Sequence, residues 1–385
     1  MGSLALVVGT APGAISARPA DHTDPIESSS PLDLRSAFLG QRAWRLEVGL
    51  RTQRTWTSID LETWLPGEPL RPHICLLLHQ GPAHPTLCVV SDAGGRPMLS
   101  RPLGGGRWGQ LDGARIEGTG SNELIASFPW RRIGLQPGGL RWRLDTSWTQ
   151  APCELSLEEC QDLLPDREAA SARVRQPMPV GCSVPGAPLR FHGPRHRPLV
   201  GLSFDDGPSA YTARFLRILR RFRMTATFFQ VGEQVLRADR RLEREILLGG
   251  SEIGDHSLHH ELYPGSASIA ATKRAIVRAS GFRPCLFRPP GGVFDGGVIG
   301  AALVNGMKTI LWEVDPHDWA RPGPGAIISH VLGRVRRGSV ILMHDGGGDR
   351  SQTLAALPAI LRGLRRRHLR GVRVSALLRG HTRWR

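Results

Sequence analysis

Two adjacent carboxylates, Asp205 and Asp206, follow an apolar stretch at residues 199–204 and precede a Gly-Pro turn. Adjacent side chains cannot share one orientation in an extended chain, so the two carboxylates can have different roles. One can ligate a metal ion while the other accepts a proton from water. Asp, Gly and Pro are also common in turns, and the pair taken alone favours that simpler interpretation.

A second group of polar residues contains His256 and His260, which stand four residues apart. On a helical turn this spacing places two imidazoles on one face, where they can share a divalent ion. With one carboxylate of the aspartate pair they would form a two-histidine, one-carboxylate site with open positions for water and substrate. His259 is an alternative to His260 as the second ligand. A histidine pair alone is more often incidental, so this hypothesis needs support from other motifs.

Short apolar strands alternate with amphipathic helices over the C-terminal half of the chain. Strands are predicted at 199–204, 226–231, 253–254, 286–287, 309–314 and 340–343, and helices at 212–222, 234–248, 269–279 and 327–335. Strands that alternate with helices predict an α/β fold with a parallel sheet, either open or closed into a (β/α) barrel-like domain. In a barrel, functional residues gather at the carboxyl ends of the strands, which is where the aspartates and histidines are predicted to lie.

A different pattern precedes this region. Apolar residues alternate or cluster at 44–50, 74–78, 86–90, 123–128 and 140–144, with Gly and Pro between these segments. This pattern predicts an all-β, sandwich-like antiparallel domain. Residues 123–135 are similar to the late strands of carbohydrate-binding β-sandwich modules. The tryptophans that could stack on sugar rings are Trp56, Trp64, Trp108 and Trp148, although most tryptophans in a sandwich fill its core.

Composition divides the chain into four parts. We predict a truncated signal peptide and linker at 1–31, the β-rich domain at 32–164, a second linker at 165–197 and the catalytic domain at 198–385. The apolar stretch at 4–10 and the small residues at 15–17 are typical of a signal peptide, but no Lys or Arg precedes them, and a disordered tail is the alternative. We therefore expect a secreted or cell-wall-associated protein without a transmembrane segment.

The chain is strongly basic, with 50 Lys and Arg residues, 34 Asp and Glu residues and a formal net charge of +16. Such a charge favours polyanionic partners, among them anionic cell-wall polymers. No nucleic-acid-binding module and no basic stretch interleaved with aromatic residues accompanies it, so nucleic acid is not expected as a partner. The arginines at 362 and 365–367 are interpreted as a solvated helix face.

The cysteines are six in number: Cys75, Cys88, Cys153, Cys160, Cys182 and Cys285. They form no CxxC pair and no Cys/His zinc spacing, so disulfides are expected, with buried free thiols as the alternative. Two pairs, Cys75 with Cys88 and Cys153 with Cys160, are close enough in sequence to close small loops. The sequence does not define the connectivity.

Five motifs follow one another in the C-terminal half. They are Ser203-Phe204-Asp205-Asp206-Gly207-Pro208, continued by Ala226-Thr227-Phe228-Phe229 and Val231-Gly232; His256 to His260; Phe287-Arg288-Pro289-Pro290-Gly291-Gly292; Asp315-Pro316-His317-Asp318-Trp319; and Ile341-Leu342-Met343-His344-Asp345. In this order they resemble the polysaccharide deacetylases that share a NodB homology domain, also called carbohydrate esterase family 4. The resemblance runs from about residue 198 to 380.

This resemblance implies a metal site made by Asp206, His256 and His260, and it favours His260 over His259. The implied cofactor is a divalent ion, most commonly zinc, with cobalt or manganese as alternatives.

The resemblance also implies an acid and a base. Asp205 would be the general base, oriented and kept charged by Arg288. His344 would be the general acid that protonates the leaving amine, and Asp318 would hold its ring and raise its pKa.

A third set of residues would contact the substrate. A backbone N–H directly after Pro290, at Gly291, would help to hold the oxyanion, while Trp319 and Leu342 would line a pocket for the acetyl methyl group. Many relatives carry a Tyr after the Pro-Pro pair, whereas this chain has Gly291-Gly292. Glycine keeps the N–H but gives up an aromatic wall, which puts substrate choice in doubt.

The implied activity is metal-dependent hydrolytic N-deacetylation of amino sugars in an N-acetylglucosamine-containing polysaccharide, either peptidoglycan or a chitin-like polymer. One alternative is an O-acetyl esterase, because ester and amide pass through similar tetrahedral states. Another is a catalytically silent cell-wall carbohydrate-binding protein. That alternative would require a missing ligand or acid, and none of the motif residues is missing.

Overall fold

The computed structural model describes residues 22–23, 30–64, 71–104, 107–117, 122–149, 160–165 and 168–385. The chain forms two compact units, Met1–Pro177 and Met178–Arg385. The apolar and small-residue segments of the predicted signal peptide lie outside the described residues. Within the described ranges, no helix combines the length and the apolar character needed to cross a membrane.

The described part of the first unit consists mainly of strands. They are β1 (His22–Thr23), β2 (Leu34–Arg42), β3 (Arg45–Thr52), β4 (His73–His79), β5 (Thr86–Ser91), β6 (Pro97–Gly104), β7 (Arg107–Gln110), β8 (Arg115–Glu117), β9 (Glu123–Pro129), β10 (Gly138–Ser147), β11 (Gln161–Leu164) and β12 (Ala170–Val174). One sheet has the order β1-β2-β3-β9-β8, and the other has the order β11-β10-β4-β5-β6-β7, with β12 also beside β10. All described pairings in this unit are antiparallel.

Both sheets contribute side chains to one hydrophobic core. In β9, Leu124, Ala126 and Phe128 are buried at alternate positions, as expected for a strand with one face on the core. The same core includes Leu46 of β3 and Leu144 of β10. The prediction of a separate β-rich region before the catalytic domain is therefore confirmed.

The tryptophans proposed as sugar platforms lie mostly inside this unit. The exposed fractions of Trp56, Trp64 and Trp148 are 6%, 5% and 7%, so the interpretation of these three as exposed stacking surfaces is wrong. Trp108 is partly buried and packs against the cluster of Trp64 with Cys75 and Cys88. Burying their large apolar rings in the core is the more favourable use of these side chains.

Cys75 and Cys88 form a disulfide between directly opposed positions of β4 and β5, as the sequence spacing indicated. Cys160 is disulfide-bonded, but Cys153, its expected partner, lies outside the described residues. A further disulfide joins Cys182 to Cys285 across 103 positions of the sequence. The sequence analysis did not pair these two cysteines, because loop closure over such a distance depends on the fold.

The predicted linker at 165–197 differs from the structure. It contains β12, which pairs with β10 in the first unit, and the first two strands of the second unit, β13 (Pro179–Ser183) and β14 (Leu189–Arg190). The two units divide between Pro177 and Met178. Short strands with many Pro, Gly and Arg residues show no sustained periodicity, so their pairing was hidden in the sequence.

The second unit alternates strands and helices. The remaining strands are β15 (Leu199–Gly207), β16 (Thr227–Gln230), β17 (Glu252–Asp255), β18 (Leu286–Phe287), β19 (Lys308–Ile310), β20 (Val340–His344), β21 (Arg370–Val372) and β22 (His381–Trp384). The helices are α1 (Thr212–Phe222), α2 (Gly232–Arg237), α3 (Arg240–Leu248), α4 (Ser266–Ser280), α5 (Gly296–Val304), α6 (Pro324–Arg334), α7 (Ser351–Arg366) and α8 (Val374–Leu377).

The main sheet of this unit has the order β14-β19-β18-β17-β16-β15-β20, with β21 also beside β15, and its pairings are parallel. A parallel bridge between Val314 and Ile341 brings the chain after β19 against β20, so the curled sheet approaches a barrel. Because all strands run in one direction, their carboxyl ends meet at one edge, as the α/β prediction requires.

The predicted helix at 234–248 is two helices, α2 and α3. The break falls at Ala238-Asp239, where Asp239 has an extended backbone and its carboxylate accepts a hydrogen bond from the Arg241 N–H. Asp is a favoured N-cap, and this local hydrogen bond starts a new helix within an otherwise continuous amphipathic pattern.

Candidate metal and catalytic site

Three potential metal ligands converge at the carboxyl edge of the parallel sheet. Asp206 lies near the end of β15, and His256 and His260 follow β17. One ligand atom of each residue lies within 4.8 Å of the other two. Asp206 Oδ1 is 3.4 Å from His256 Nε2 and 3.2 Å from His260 Nε2. The predicted triad is therefore brought together in space.

The backbone is unusual at two of these ligands. Asp206 has φ 70° and His260 has φ 61°, a left-handed conformation that few residues other than glycine adopt. Asp and His are among the residues that tolerate it best. Such conformations persist where the surrounding structure enforces them, often at functional sites.

The donor atoms are suited to a cation. His256 Nδ1 lies 2.8 Å from the Arg288 carbonyl, which makes Nδ1 the protonated donor and leaves the Nε2 lone pair directed toward Asp206. The buried Asp206 Oδ1 has no hydrogen-bond partner in the described structure. Burial alone would raise the pKa of Asp206, but the two imidazoles, when they carry positive charge, lower this pKa well below its usual range. A charged oxygen without a hydrogen bond beside two ring nitrogens fits a divalent metal.

His259 takes no part in this cluster. Its Nδ1 lies 2.7 Å from Glu233 Oε1 in the first turn of α2. The alternative of His259 as a ligand therefore has no support from the geometry.

Asp205 is buried, and its carboxylate is held by Arg288. Its Oδ1 accepts a 2.7 Å hydrogen bond from Arg288 Nη1, while its Oδ2 is 3.8 Å from His256 Nε2. Arg288 is fully buried and also donates to the Ser203 hydroxyl at 2.9 Å and to the Ile310 carbonyl at 3.1 Å. These bonds fix the orientation of the guanidinium, which in turn fixes the Asp205 carboxylate.

His344 ends β20 directly beside Asp205, because these two residues are register partners in neighbouring parallel strands. Its Nδ1 is 2.7 Å from Asp318 Oδ1, and its backbone N–H donates to Asp318 Oδ2 at 2.9 Å. Thr353 donates a further 2.7 Å bond to Asp318 Oδ2. Burial alone would lower the pKa of His344, but the hydrogen bond and charge of Asp318 outweigh it and raise this pKa.

The remaining predicted residues lie around the same edge. Pro290 is buried, and Gly291 in the turn Pro290–Gly292 has φ 62°. Leu342 is buried two positions before His344 on β20, so both side chains face the same side of the strand. Trp319 follows Asp318 and is 54% exposed.

Sequence reasoning missed several residues that support this site. Thr353 binds Asp318, and Ser203 binds Arg288, as described above. Arg350 donates to the carbonyl of Gly347 at 2.9 Å and to that of Trp319 at 3.4 Å, which ties two loops together. A side chain at Gly347 would collide with Asp206 Oδ2. The run of three glycines after Asp345 was the one available signal, because glycine allows close approach of backbone to a site.

Several known proteins are similar to this chain. A family model described as polysaccharide deacetylase matches residues 192–310. The peptidoglycan-N-acetylglucosamine deacetylase of Bacillus cereus is 40% identical over 195 residues, which cover 48% of this chain and 91% of that relative. The chitooligosaccharide deacetylase of Rhizobium leguminosarum bv. phaseoli is 35% identical over 210 residues, covering 49% and 92%.

A solved family 4 carbohydrate esterase from Streptomyces lividans, in complex with acetate, is 35% identical and covers 45% of this chain and 91% of its own, with a TM-score of 0.42. The chain belongs to the polysaccharide deacetylase family. The resemblance to the polysaccharide deacetylases is thereby confirmed.

Proposed function

We propose that this protein hydrolyses the N-acetyl groups of amino sugars in an N-acetylglucosamine-containing polysaccharide, with peptidoglycan or a chitin-like polymer as substrate. The observation that carries this proposal is the convergence of three groups at one sheet edge. The ligand triad, the Asp205–Arg288 pair and the His344–Asp318 pair all lie there. The activities named for the two relatives described above support the same chemistry.

Asp206, His256 and His260 would hold the divalent ion. Two imidazoles and one carboxylate are the donor set of many catalytic zinc sites, so zinc is the first choice, with cobalt and manganese as alternatives. When bound, such an ion supplies Lewis-acid polarisation of the acetyl carbonyl and lowers the pKa of water.

The protein residues divide the proton transfers. Asp205, oriented by Arg288, accepts a proton from the water that attacks the acetyl carbonyl carbon. His344, charged through its contact with Asp318, gives a proton to the sugar nitrogen as the C–N bond breaks. The products are acetate and a free amine, so one water molecule is consumed and no other reactant is needed.

The loop after Pro290 and the pocket walls complete the proposed site. The Gly291 N–H would stabilise negative charge on the acetyl oxygen as the tetrahedral state forms. Trp319 and Leu342 would enclose the acetyl methyl group, because Trp319 is exposed directly after Asp318 and Leu342 lies on the same face of β20 as His344.

The decisive experiment measures acetate release from three substrates: acetylated chitooligomers, acetylated xylan and intact peptidoglycan. We expect release from the two amide-bearing substrates, its loss after chelation and its return when metal is added back. An Asp206→Ala variant is the control and should stay inactive after metal addition. Release from xylan alone would favour the O-acetyl esterase, and release from none of them would favour a silent binding protein.

The division of labour between the two aspartates gives a separate prediction. Asp205→Ala should abolish turnover while the purified protein still binds metal, because Asp205 is not part of the ligand triad. Asp206→Ala and His260→Ala should lose both turnover and metal binding. Metal analysis of the purified variants provides the measurement, and equal metal loss in the Asp205 variant would reverse the two assignments.

We further propose that the first unit is a β-sandwich and that the protein acts outside the cytoplasm. Two antiparallel sheets share the single core of that unit, which supports the sandwich. Disulfides in both units support an oxidising compartment. The basic composition would assist contact with anionic cell-wall polymers.

A further inference from the structure

The loop that carries the proposed oxyanion-binding N–H has no side chain at two successive positions. Gly291 has φ 62° and Gly292 has φ 71°, both in the left-handed region that favours glycine. Whatever apolar surface borders a substrate at this point must therefore come from other segments of the chain.

Two such segments reach the glycines. A Cβ atom at Gly291 would lie 3.1 Å from Leu262 Cδ2, and a Cβ atom at Gly292 would lie 2.6 Å from Trp312 Cη2. Leu262 belongs to the loop between β17 and α4, two residues after His260, whereas Trp312 follows β19. The glycine turn is thus flanked by a leucine and a tryptophan from separate loops.

These two side chains differ in what they can contact. Trp312 is half-buried and packs against the hydrophobic core, and its ring centroid lies 5.5 Å from the guanidinium carbon of the buried Arg288. Leu262 is 50% exposed, follows the proposed metal ligand His260 by two positions, and has its Cδ2 atom 3.1 Å from where a Cβ atom at Gly291 would lie. A single exposed leucine is ordinary on a protein surface, but this one adjoins the turn that carries the proposed oxyanion-binding N–H.

We propose that Leu262 forms the apolar wall of the substrate cleft beside Gly291 and is a specificity-determining residue that packs against the C–H face of the sugar. This inference rests on the proposed deacetylase function. Leu262 lies on the loop between β17 and α4 that also carries His256 and His260. Its side chain supplies an apolar surface where the glycine turn has none. A side chain at Gly291 would make a tight contact with Leu262, which occupies the adjoining space.

The test compares Leu262→Ala with a matched leucine. Leu248 is 48% exposed and ends α3, ahead of β17 and therefore at the opposite end of that strand from the site. The kcat/KM values for tetra-N-acetylchitotetraose and for p-nitrophenyl acetate are measured for the wild type, Leu262→Ala and Leu248→Ala. The small ester lacks the sugar that Leu262 would contact.

We expect the kcat/KM for the tetramer, divided by that for the ester, to fall about fivefold in Leu262→Ala. The change should come mainly from a higher KM for the tetramer, because the contact made by about half a leucine side chain is lost. The ratio in Leu248→Ala should remain that of the wild type. A wild-type ratio in Leu262→Ala would overturn the assignment of Leu262. A wild type that releases acetate from neither substrate would instead overturn the proposed function, and this assignment with it.

A second comparison tests the packing between the two loops. Gly291→Ala should lower kcat/KM for the tetramer, because the added Cβ presses on Leu262 and the backbone conformation is strained for alanine. In Gly291→Ala combined with Leu262→Ala, part of that loss should be recovered, so the two effects should be less than additive. Strictly additive losses would show that Leu262 does not border this position.

Discussion

At the level of single residues, His344 shows how one contact can decide whether a group works near neutral pH. Burial disfavours a charged imidazole, whereas the Asp318 carboxylate, 2.7 Å away, favours it. The effect of the Asp318 carboxylate is larger than that of burial, so the pKa of His344 is raised. An acid that must protonate a leaving amine is useful only while it stays charged, so the raised pKa extends the active range toward alkaline pH.

This gives a prediction for Asp318→Asn. Activity is present while His344 is protonated and is lost as pH rises through its pKa. Removing the Asp318 carboxylate takes away the largest influence that raises that pKa, while burial still lowers it and the charges of Asp205 and Asp206 still raise it. The alkaline limb of the kcat/KM profile should therefore move to lower pH. The maximal rate should also fall, by about a hundredfold, since the ring loses its orienting partner. The measurement is acetate release against pH.

Thr353→Val provides the control for that profile. It removes the hydroxyl that binds Asp318 Oδ2 but keeps the carboxylate and its bond to His344 Nδ1. Its alkaline limb should stay near that of the wild type. An unchanged limb in Asp318→Asn would show that His344 is not the group that sets it.

At the level of elements, Arg288 joins three strands through one guanidinium. It extends from the end of β18 and bonds Ser203 and Asp205 on β15 and the Ile310 carbonyl on β19. The face of Phe229 on β16 lies 4.1 Å from its guanidinium carbon. A fully buried charge with this many partners fixes the relative positions of the strands. It also makes the fold sensitive to mutation, because losing one charged partner leaves the other as an unpaired buried charge.

Arg288→Met should therefore destabilise the second unit by about 3–5 kcal/mol, since it leaves the buried Asp205 without its cation. Combining it with Asp205→Asn should recover part of that loss, because no unpaired charge then remains. The measurement is urea-induced unfolding. Arg237→Met is the matched control: its arginine is exposed and pairs with Glu233 on α2 at 3.7 Å, and the loss should be below about 1 kcal/mol. Similar losses in both single variants would contradict the argument.

The elements also show which parts of the site could be predicted. Local spacing was enough to predict that the aspartate pair, His256 and His260 belong to the site. Each motif follows a strand whose apolar run is visible in the sequence. Sequence spacing alone left His259 open as a ligand, and its bond to Glu233 excludes it from the cluster in the structure. Thr353 and Arg350 act across long sequence separations from helix and loop positions without a distinctive pattern, so only the fold reveals them.

At the level of the whole molecule, the two-part organisation was predictable because strand-only and strand–helix patterns differ in period. The division between the units was not, because β12, β13 and β14 occupy a stretch whose Pro and Gly content is typical of a linker. The burial of Trp56 and Trp148 was equally hidden. Burial depends on which face of a strand or turn meets the core, and a tryptophan suits either environment.

Each unit contains a described disulfide of its own. The two disulfides differ in the length of the loop that they close. Cys75–Cys88 closes 13 positions between adjacent strands of the first unit, whereas Cys182–Cys285 closes 103 positions of the second. A crosslink restricts the unfolded chain more when its loop is longer. The Cys182–Cys285 bond should therefore matter more for stability, and it lies in the unit that carries the proposed chemistry.

The double variant Cys182→Ala with Cys285→Ala should lower the stability of the second unit by roughly 4–5 kcal/mol, against about 3 kcal/mol in the first unit for Cys75→Ala with Cys88→Ala. Thermal unfolding gives the stability, and acetate release after heating reports on the second unit alone. We expect residual activity to decline at a lower temperature only when Cys182 and Cys285 are replaced. If replacing Cys75 and Cys88 lowers that temperature as much, the second unit does not keep its activity independently of the first, and the assignment of each bond to the stability of its own unit is wrong.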